Sequence, residues 1–257
     1  MDLGLAGLEQ TARFRTFPLM AAQLPLGLRL PDTARLDNFI PGLNAEALAA
    51  VRHCATTPGA AMLYLAGPAG SGRTHLLQAA CRAVQSAGLQ AAYVPLADRA
   101  ALSPALLEGL EDYALVALDD IDAVAGDTAW EEALFHLYNR LREAGGRLLA
   151  AAPAPPEQAG LRLPDLRSRL AWGALYALQL PDDATRLRIL TQRARDRGLE
   201  LSEDVGRFLL HRCPRDLPAL LALLDRLDRA ALAAQRRLTI PFVREVLGGG
   251  GGVRSEE

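Results

Sequence analysis

The feature that most constrains this chain is a glycine-rich stretch, AGPAGSGRTH, at residues 66–75. The apolar run AMLYLA precedes it, and a helical pattern begins at Arg73. The spacing is that of the phosphate-binding loop G-x-x-x-x-G-K-[ST], with Arg73 in place of the lysine. Between a buried strand and a helix, such glycines let backbone N–H groups and the helix N-terminus converge on phosphate oxygens. The structural alternative is a tight turn that only has this spacing.

A second motif closes another apolar stretch further along the chain. The sequence LVALDDID, residues 115–122, ends on Asp119 and Asp120, which is the form of a Walker B motif. In that motif the first carboxylate binds the shell of Mg²⁺ and the second polarises water. The two motifs together predict a nucleotide site made by Gly67, Gly70, Gly72, Arg73, Thr74, Asp119 and Asp120, with Mg²⁺ held by Thr74 and Asp119.

Arg73 complicates this prediction. All 28 basic residues of the chain are arginine, so compositional bias alone could account for it. A guanidinium is planar and bulkier than the compact lysine ammonium. We therefore expect Arg73 to pair with phosphate in an altered geometry, and nucleotide binding to survive better than hydrolysis.

Strand and helix patterns alternate as far as Pro181, and only helical patterns follow. The predicted strands are 61–66, 91–96, 115–118, 148–152 and 175–180; the helices before Pro181 are 73–87, 128–144 and 165–171, and those after it are about 183–197, 203–212, 216–235 and 240–247. This pattern predicts an α/β domain with a five-stranded parallel sheet, and a small all-helical lid. The predicted divisions are an extended N-terminal arm at 1–37, the nucleotide-binding domain at 38–181, the lid at 182–247 and a disordered tail at 248–257.

Composition narrows the class of partner. The net charge of −2 provides no global field that attracts nucleic acid. No apolar run approaches the ~20 residues that span a bilayer, and residues 1–19 lack the apolar core of a signal peptide. Cys54, Cys81 and Cys213 form no C-x-x-C pair, so we expect buried thiols in the reducing cytoplasm. The sequence leaves open whether translation starts at Met1 or at Met20.

Six stretches occur in the order seen in DnaA-related AAA+ proteins, which the chain resembles over about residues 20–247. They are RLDNFIPGLN (35–44), GPAGSGRTHLLQA (67–79), LVALDDIDAVAGD (115–127), LPDLRSRLAWG (163–173), EDVGRFLLHRCPRDLPALLALLDRLDRAAL (203–232) and RRLTIPFVREVL (236–247). Arginine at the position of the loop lysine is a further feature in which the chain resembles this family. Within it, the resemblance is to the regulators that inactivate the initiator DnaA, and it implies ADP or ATP with Mg²⁺ as cofactors.

The resemblance also implies roles for individual residues. Arg215 stands at the place of the sensor II arginine that reaches bound nucleotide. Arg169 matches the arginine finger, which acts on a neighbour's nucleotide, although pairing with Asp165 and a finger at Arg167 instead are alternatives. Asn38 and Phe39 match the segment that helps form the base pocket. The departure is at Ala151 and Ala152, where many AAA+ ATPases carry a polar sensor I residue.

The segment QLPLGL, residues 23–28, resembles the short peptide with which bacterial proteins dock on the sliding clamp of the replicative polymerase. Gln23 would hydrogen-bond at the pocket rim, and Leu24, Leu26 and Leu28 would fill an apolar cleft. Pro25 restricts the free peptide and so lowers its ordering cost. The alternative is an apolar linker that packs on its own domain.

The resemblance therefore implies a regulator that docks on the DNA-loaded clamp and stimulates hydrolysis of DnaA-bound ATP, which prevents re-initiation of replication. The chain carries no basic recognition helix, so we expect no sequence-specific DNA binding. The alternatives are a AAA+ ATPase or helicase-loader-like protein that hydrolyses its own ATP, and a scaffold with an empty loop. Self-association into a homo-oligomer is left open.

Overall fold

The computed structural model of the protein describes residues 34–59, 61–213 and 216–248. A five-stranded sheet lies at its centre. The strands are β1 (Ala61–Ala66), β2 (Ala91–Pro95), β3 (Leu115–Asp119), β4 (Arg147–Ala152) and β5 (Ala174–Ala177). They pair in the order β2-β3-β4-β1-β5, and every pairing is parallel. The predicted parallel sheet is confirmed.

Eight α-helices accompany the sheet in the described part of the chain. They are α1 (Ala45–Thr56), α2 (Arg73–Ser86), α3 (Thr128–Ala144), α4 (Pro164–Ala171), α5 (Asp183–Arg195), α6 (Glu203–Arg212), α7 (Leu217–Ala234) and α8 (Ile240–Gly248). Short 3-10 turns lie at Leu36–Asn38, Gly42–Asn44, Leu96–Ala101, Pro104–Leu107, Leu110–Asp112, Ile121–Val124 and Pro156–Gln158. None of these helices is long and apolar enough to cross a membrane.

Two apolar clusters cover the two faces of the sheet. On one face, Leu76, Leu77 and Val51 of α2 and α1 pack on the strands. On the other face, Leu137 and Leu141 of α3 are fully buried against them. Because both faces are covered, the strands are nearly continuous apolar runs.

Helices α5 to α8 form a third apolar cluster of their own, which includes Leu209, Leu224 and Phe242. Asp182, Ser202 and Asp216 each accept a hydrogen bond from a backbone N–H in the first turn of the helix that follows. These N-caps fix where three of the lid helices begin. The predicted all-helical lid is confirmed.

Three local features differ from the sequence-based expectation. Helix α1 was not predicted, although Ala47, Val51 and Ala55 recur at helical spacing and are buried. The extended arm was predicted to reach residue 37, but a 3-10 turn forms at Leu36–Asn38, and Leu36 is buried in the core. Strand β5 ends at residue 177 and not 180, because the amide of Asn44 takes over the backbone hydrogen bonds of Gln179.

Candidate functional site

The glycine-rich loop joins β1 to α2 at the carboxyl edge of the sheet. Gly72 has a φ of +100°, and a Cβ atom there would lie 2.6 Å from Cε2 of Phe39. Gly70 has a φ of +82°, and its Cβ would lie 3.2 Å from Cδ of Pro218 on α7. The loop is therefore enclosed by the N-terminal segment on one side and by the lid on the other. The positive φ favours glycine at both positions, and at position 72 a side chain would also clash with Phe39.

Arg73 reaches the second carboxylate of the Walker B motif. Its Nη2 atom lies 3.2 Å from Oδ1 of Asp120, and the residue is only 9% exposed. Burial and the neighbouring charge of Asp119 raise the pKa of Asp120, while the guanidinium of Arg73 opposes that rise. The two motifs that lie far apart in sequence are thus joined by an ion pair.

Asp119 lies deeper, with 1% of its surface exposed. Its Oδ2 atom accepts a hydrogen bond from the hydroxyl of Tyr93 at 2.9 Å, and Oδ1 accepts one from the backbone N–H of Asp120 at 3.1 Å. Burial and the charge of Asp119 raise the pKa of Tyr93, which keeps its hydroxyl protonated as a donor. Both carboxylate oxygens of Asp119 thus have protein donors, and Tyr93 on β2 is a partner that the sequence analysis missed.

A cavity of about 410 Å³ lies between the loop, the N-terminal segment and the lid. The sequence-predicted residues that line it are Asn38, Phe39, Gly70, Gly72, Arg73, Thr74 and Asp120. Gly67 and Asp119 are not among its lining residues, since Gly67 packs against Leu178 and Asp119 is buried beneath Asp120. Arg215 lies outside the described residues, while Leu217 and Pro218 just after it line the cavity.

His75 connects three parts of this cavity. Its Nε2 atom lies 3.0 Å from the backbone oxygen of Arg35, and its Nδ1 atom lies 3.0 Å from Nη2 of Arg193 on α5. Nε2 therefore donates to the carbonyl and Nδ1 accepts from the guanidinium, which requires a neutral ring. Burial, assisted by the charge of Arg193, lowers the pKa of His75 to about 4 against the carbonyl contact that raises it. His75 and Arg193 were not among the site residues predicted from the sequence.

The cavity has the features that a phosphate-bearing ligand requires. Nη1 of Arg73 and Oγ of Ser71 are buried without a hydrogen-bond partner among the described residues. Buried polar atoms are rarely left in this state, and both are donors next to the loop N–H groups. The residues present therefore fit an anionic group. Within the same described ranges, no cluster of three or more His, Cys, Asp or Glu could hold a metal ion by itself.

Helix α4 carries Arg169 at the surface. Its guanidinium lies 4.4 Å from the ring centroid of Trp172 and makes no ion pair with a described carboxylate, so pairing with Asp165 is not observed. The buried carboxylate of Glu131 on α3 accepts hydrogen bonds from the N–H groups of Arg162 and Leu163, which lead into α4. Glu131 interrupts the apolar stripe of its helix, which is the sequence signal that could have found it.

Two other predicted features have different outcomes. Gln23, Leu24, Leu26 and Leu28 lie outside the described residues, so the clamp-docking segment stays a prediction. Ala151 and Ala152 are fully buried in β4 between β3 and β1. The strand between the two motifs therefore presents no polar side chain at this point.

Two family models match the chain in succession. Residues 30–177, more than half of the chain, match the model of the bacterial DnaA ATPase domain. The chain belongs to the DnaA-related AAA+ family. Residues 183–247 match a model described as the lid domain of Hda, so the family assignment extends through helices α5 to α8.

Solved structures show the same fold. Domain III of the Thermotoga maritima replication initiation protein DnaA is 22% identical, over 86% of this chain and 98% of that one, with a TM-score of 0.72. AMPPCP-bound DnaA from Aquifex aeolicus is 24% identical, over 76% of this chain and 65% of that one, with a TM-score of 0.65. The Thermotoga maritima RuvB Holliday junction branch migration motor is 18% identical, over 86% and 72%, with a TM-score of 0.64.

Proposed function

We propose that this chain is a nucleotide-binding regulator of replication initiation that acts on DnaA. The observation that carries the proposal is the succession of a DnaA ATPase domain and an Hda lid around one cavity. The chain docks on the DNA-loaded sliding clamp, meets ATP-bound DnaA and stimulates hydrolysis there. Re-initiation is prevented because DnaA is left without ATP.

Nucleotide binds in the cavity between loop and lid, as ADP or as ATP with Mg²⁺. Arg73 and Ser71 hold phosphate oxygens with the loop N–H groups, and Asn38 and Phe39 border the base. Thr74 would hold Mg²⁺ at the cavity, whereas Asp119, which is buried beneath Asp120 with both oxygens hydrogen-bonded, would act through the water shell of the ion. Arg215 would reach the nucleotide from the lid. When bound, the nucleotide would supply phosphate oxygens as the hydrogen-bond acceptors that Nη1 of Arg73 and Oγ of Ser71 lack.

The chain does not turn over nucleotide efficiently by itself. Asp120, the residue that would polarise water, is engaged by Arg73 at 3.2 Å. The neighbouring strand β4 offers only alanine side chains where a polar group would orient water. These two features favour the regulator over an ATPase or helicase loader that hydrolyses its own ATP.

Arg169 acts in trans as the arginine finger. A permanent positive charge next to the γ-phosphate stabilises the negative charge that develops there, and such a finger contributes about 10³–10⁵ in rate in GTPases. The side chain lies at the surface of α4, next to Trp172 and clear of any described carboxylate. This position suits contact with a second protein.

The first test measures nucleotide binding and turnover by the purified chain. ADP at about 100 times its Kd stabilises the folded state by about 2.7 kcal/mol, which raises the Tm by about 5–11 °C for a chain of this size. Steady-state ATPase activity without DnaA should be negligible, with or without nucleic acid. Robust turnover would support the ATPase alternative, and failure to bind any nucleotide would support the empty scaffold.

The decisive test measures hydrolysis of DnaA-bound ATP with and without this protein and clamp-loaded DNA. Wild-type protein should stimulate hydrolysis, and Arg169→Ala should lose that stimulation while it keeps ADP and clamp binding. Arg167→Ala, two residues earlier on the same helix, is the matched control and should retain it. If Arg167→Ala loses the stimulation and Arg169→Ala keeps it near normal, the arginine finger is Arg167 and not Arg169.

Clamp docking is tested by exchange of Gln23 and Leu24 for alanine. Binding to the clamp should be abolished, because the rim hydrogen bond and one cleft leucine are lost. The free energy of unfolding should change by less than about 0.5 kcal/mol, as is usual for surface positions. Unfolding of this variant would instead mean that the segment packs on its own domain.

A further inference from the structure

Trp172, at the C-terminal end of α4, is a large apolar side chain left at the surface. It is 61% exposed, whereas Trp130, the other tryptophan of the chain, is 4% exposed. Two guanidinium groups lie near its ring: that of Arg169 at 4.4 Å from the centroid and that of Arg142, on α3, at 5.4 Å. Both distances are within the range of cation–π attraction.

The two arginines have no other charged partner in the described part of the chain. Neither side chain makes an ion pair or a hydrogen bond there. Their charges act on the same surroundings, since both lower the pKa of Tyr138 against the burial that raises it. Two like charges at one surface repel each other, so the Trp172 ring is the attractive group that keeps Arg169 at this place.

We propose that Trp172 is a positioning residue for the arginine finger: its ring holds the Arg169 guanidinium in one orientation before the partner's nucleotide arrives. The inference rests on the proposed function and deepens it. An arginine side chain in solvent samples many rotamers, and each rotamer that is lost when the guanidinium meets the γ-phosphate in the transition state costs free energy. Stacking on the ring removes that cost in advance, so its effect falls on the rate of hydrolysis at the bound phosphate.

The contribution to folding is small, since cation–π pairs at exposed sites contribute about 0.5–1 kcal/mol. The contribution to the reaction is larger, because the partner's surface excludes water from the stack. We expect loss of the ring to lower the maximal stimulated rate by about 10-fold, which corresponds to about 1.4 kcal/mol.

The test uses the full chain with ATP-bound DnaA and clamp-loaded DNA, titrated to saturation with each variant. Trp172→Leu keeps an apolar side chain without a π face and should lower the maximal rate, with little change in the half-saturating concentration. Trp172→Phe should restore most of the rate. Arg142→Gln removes a charge from the same surface, leaves the ring in place and should stay within about 2-fold of wild type.

Three results would contradict the inference. Wild-type maximal rate with Trp172→Leu would mean that the ring face is not needed. A change confined to the half-saturating concentration would mean that Trp172 only anchors the partner. An Arg169 side-chain N–H resonance, assigned by its loss in Arg169→Lys, that lacks an upfield ring-current shift in the free wild-type protein would exclude the stack. Failure of wild-type protein to stimulate hydrolysis is distinct, because it overturns the proposed function itself.

Discussion

Glu131→Gln is the substitution that most directly tests how helix α4, which carries Arg169, is held in place. Glu131 is 2% exposed, and its carboxylate accepts hydrogen bonds from the N–H groups of Gly126 at 2.6 Å, Arg162 at 2.9 Å and Leu163 at 2.6 Å. Gly126 follows the Walker B segment, and the other two residues lead into α4. One carboxylate therefore fastens two loops at the edge of the site.

Glutamine keeps the shape of this side chain but replaces one acceptor oxygen with an NH₂ donor. At least one of the three backbone donors then faces another donor, which leaves a buried group unsatisfied at a cost of about 1–3 kcal/mol. The remaining bonds also lose their charge-assisted strength. Together these losses amount to about 3 kcal/mol, so the Tm should fall by about 6–12 °C.

The effect should depend on pH in a specific way. Burial raises the pKa of Glu131, but the N–H groups of Arg162, Leu163 and Gly126 outweigh it and lower the pKa below its ordinary value. A carboxylate with a lowered folded-state pKa stabilises the protein at higher pH, and that stability is lost as the pH falls below about 4. The free-energy difference between wild type and Glu131→Gln should therefore be greatest near neutral pH and shrink in acid.

The assay is urea unfolding of both proteins from neutral to acid pH, with Glu132→Gln as the control. Glu132 is the next residue on α3 and is exposed, so its variant should change the free energy of unfolding by less than about 0.5 kcal/mol. A difference for Glu131→Gln that stayed constant down to acid pH would refute the argument from charge. A difference below about 1 kcal/mol at neutral pH would refute the argument from buried hydrogen bonds.

Three further predictions concern the cavity and the core. Gly72→Ala should abolish the rise in Tm caused by ADP, whereas Gly88→Ala, at a positive φ in open space, should preserve it; an equal ADP shift in both would contradict the loop geometry. Arg147→Met should lower the free energy of unfolding by about 3 kcal/mol in urea titrations. The substitution removes the guanidinium that donates to four backbone carbonyls, those of Cys54, Ala55, Thr57 and Ala114. The low pKa of His75, about 4, keeps the folded ring neutral while the unfolded ring protonates, so stability falls as the pH drops from about 6.5 to about 4. His75→Gln should lose that component of the pH dependence, and an unchanged dependence would exclude it.

Local sequence signals predicted most of the secondary structure. Helix α3 has the predicted bounds, because Asp127 caps its first turn and Gly145 ends it in a left-handed conformation. Strand β1 also has its predicted bounds, since a short apolar run ends at the loop glycines. Signals of this kind depend on neighbours in the chain and need no knowledge of distant contacts.

The sequence by itself determined the order of the strands and of every helix after α1, the two motifs and the separate helical lid, because periodicity, caps and turn residues act over a few positions. Only the tertiary structure decided that Arg73 pairs with Asp120, that Tyr93 binds Asp119 and that Trp172 stacks on Arg169. The first two pairs join residues from different strands or loops. The third depends on which side chains the packing of α4 on α3 leaves in solvent, which no local pattern encodes.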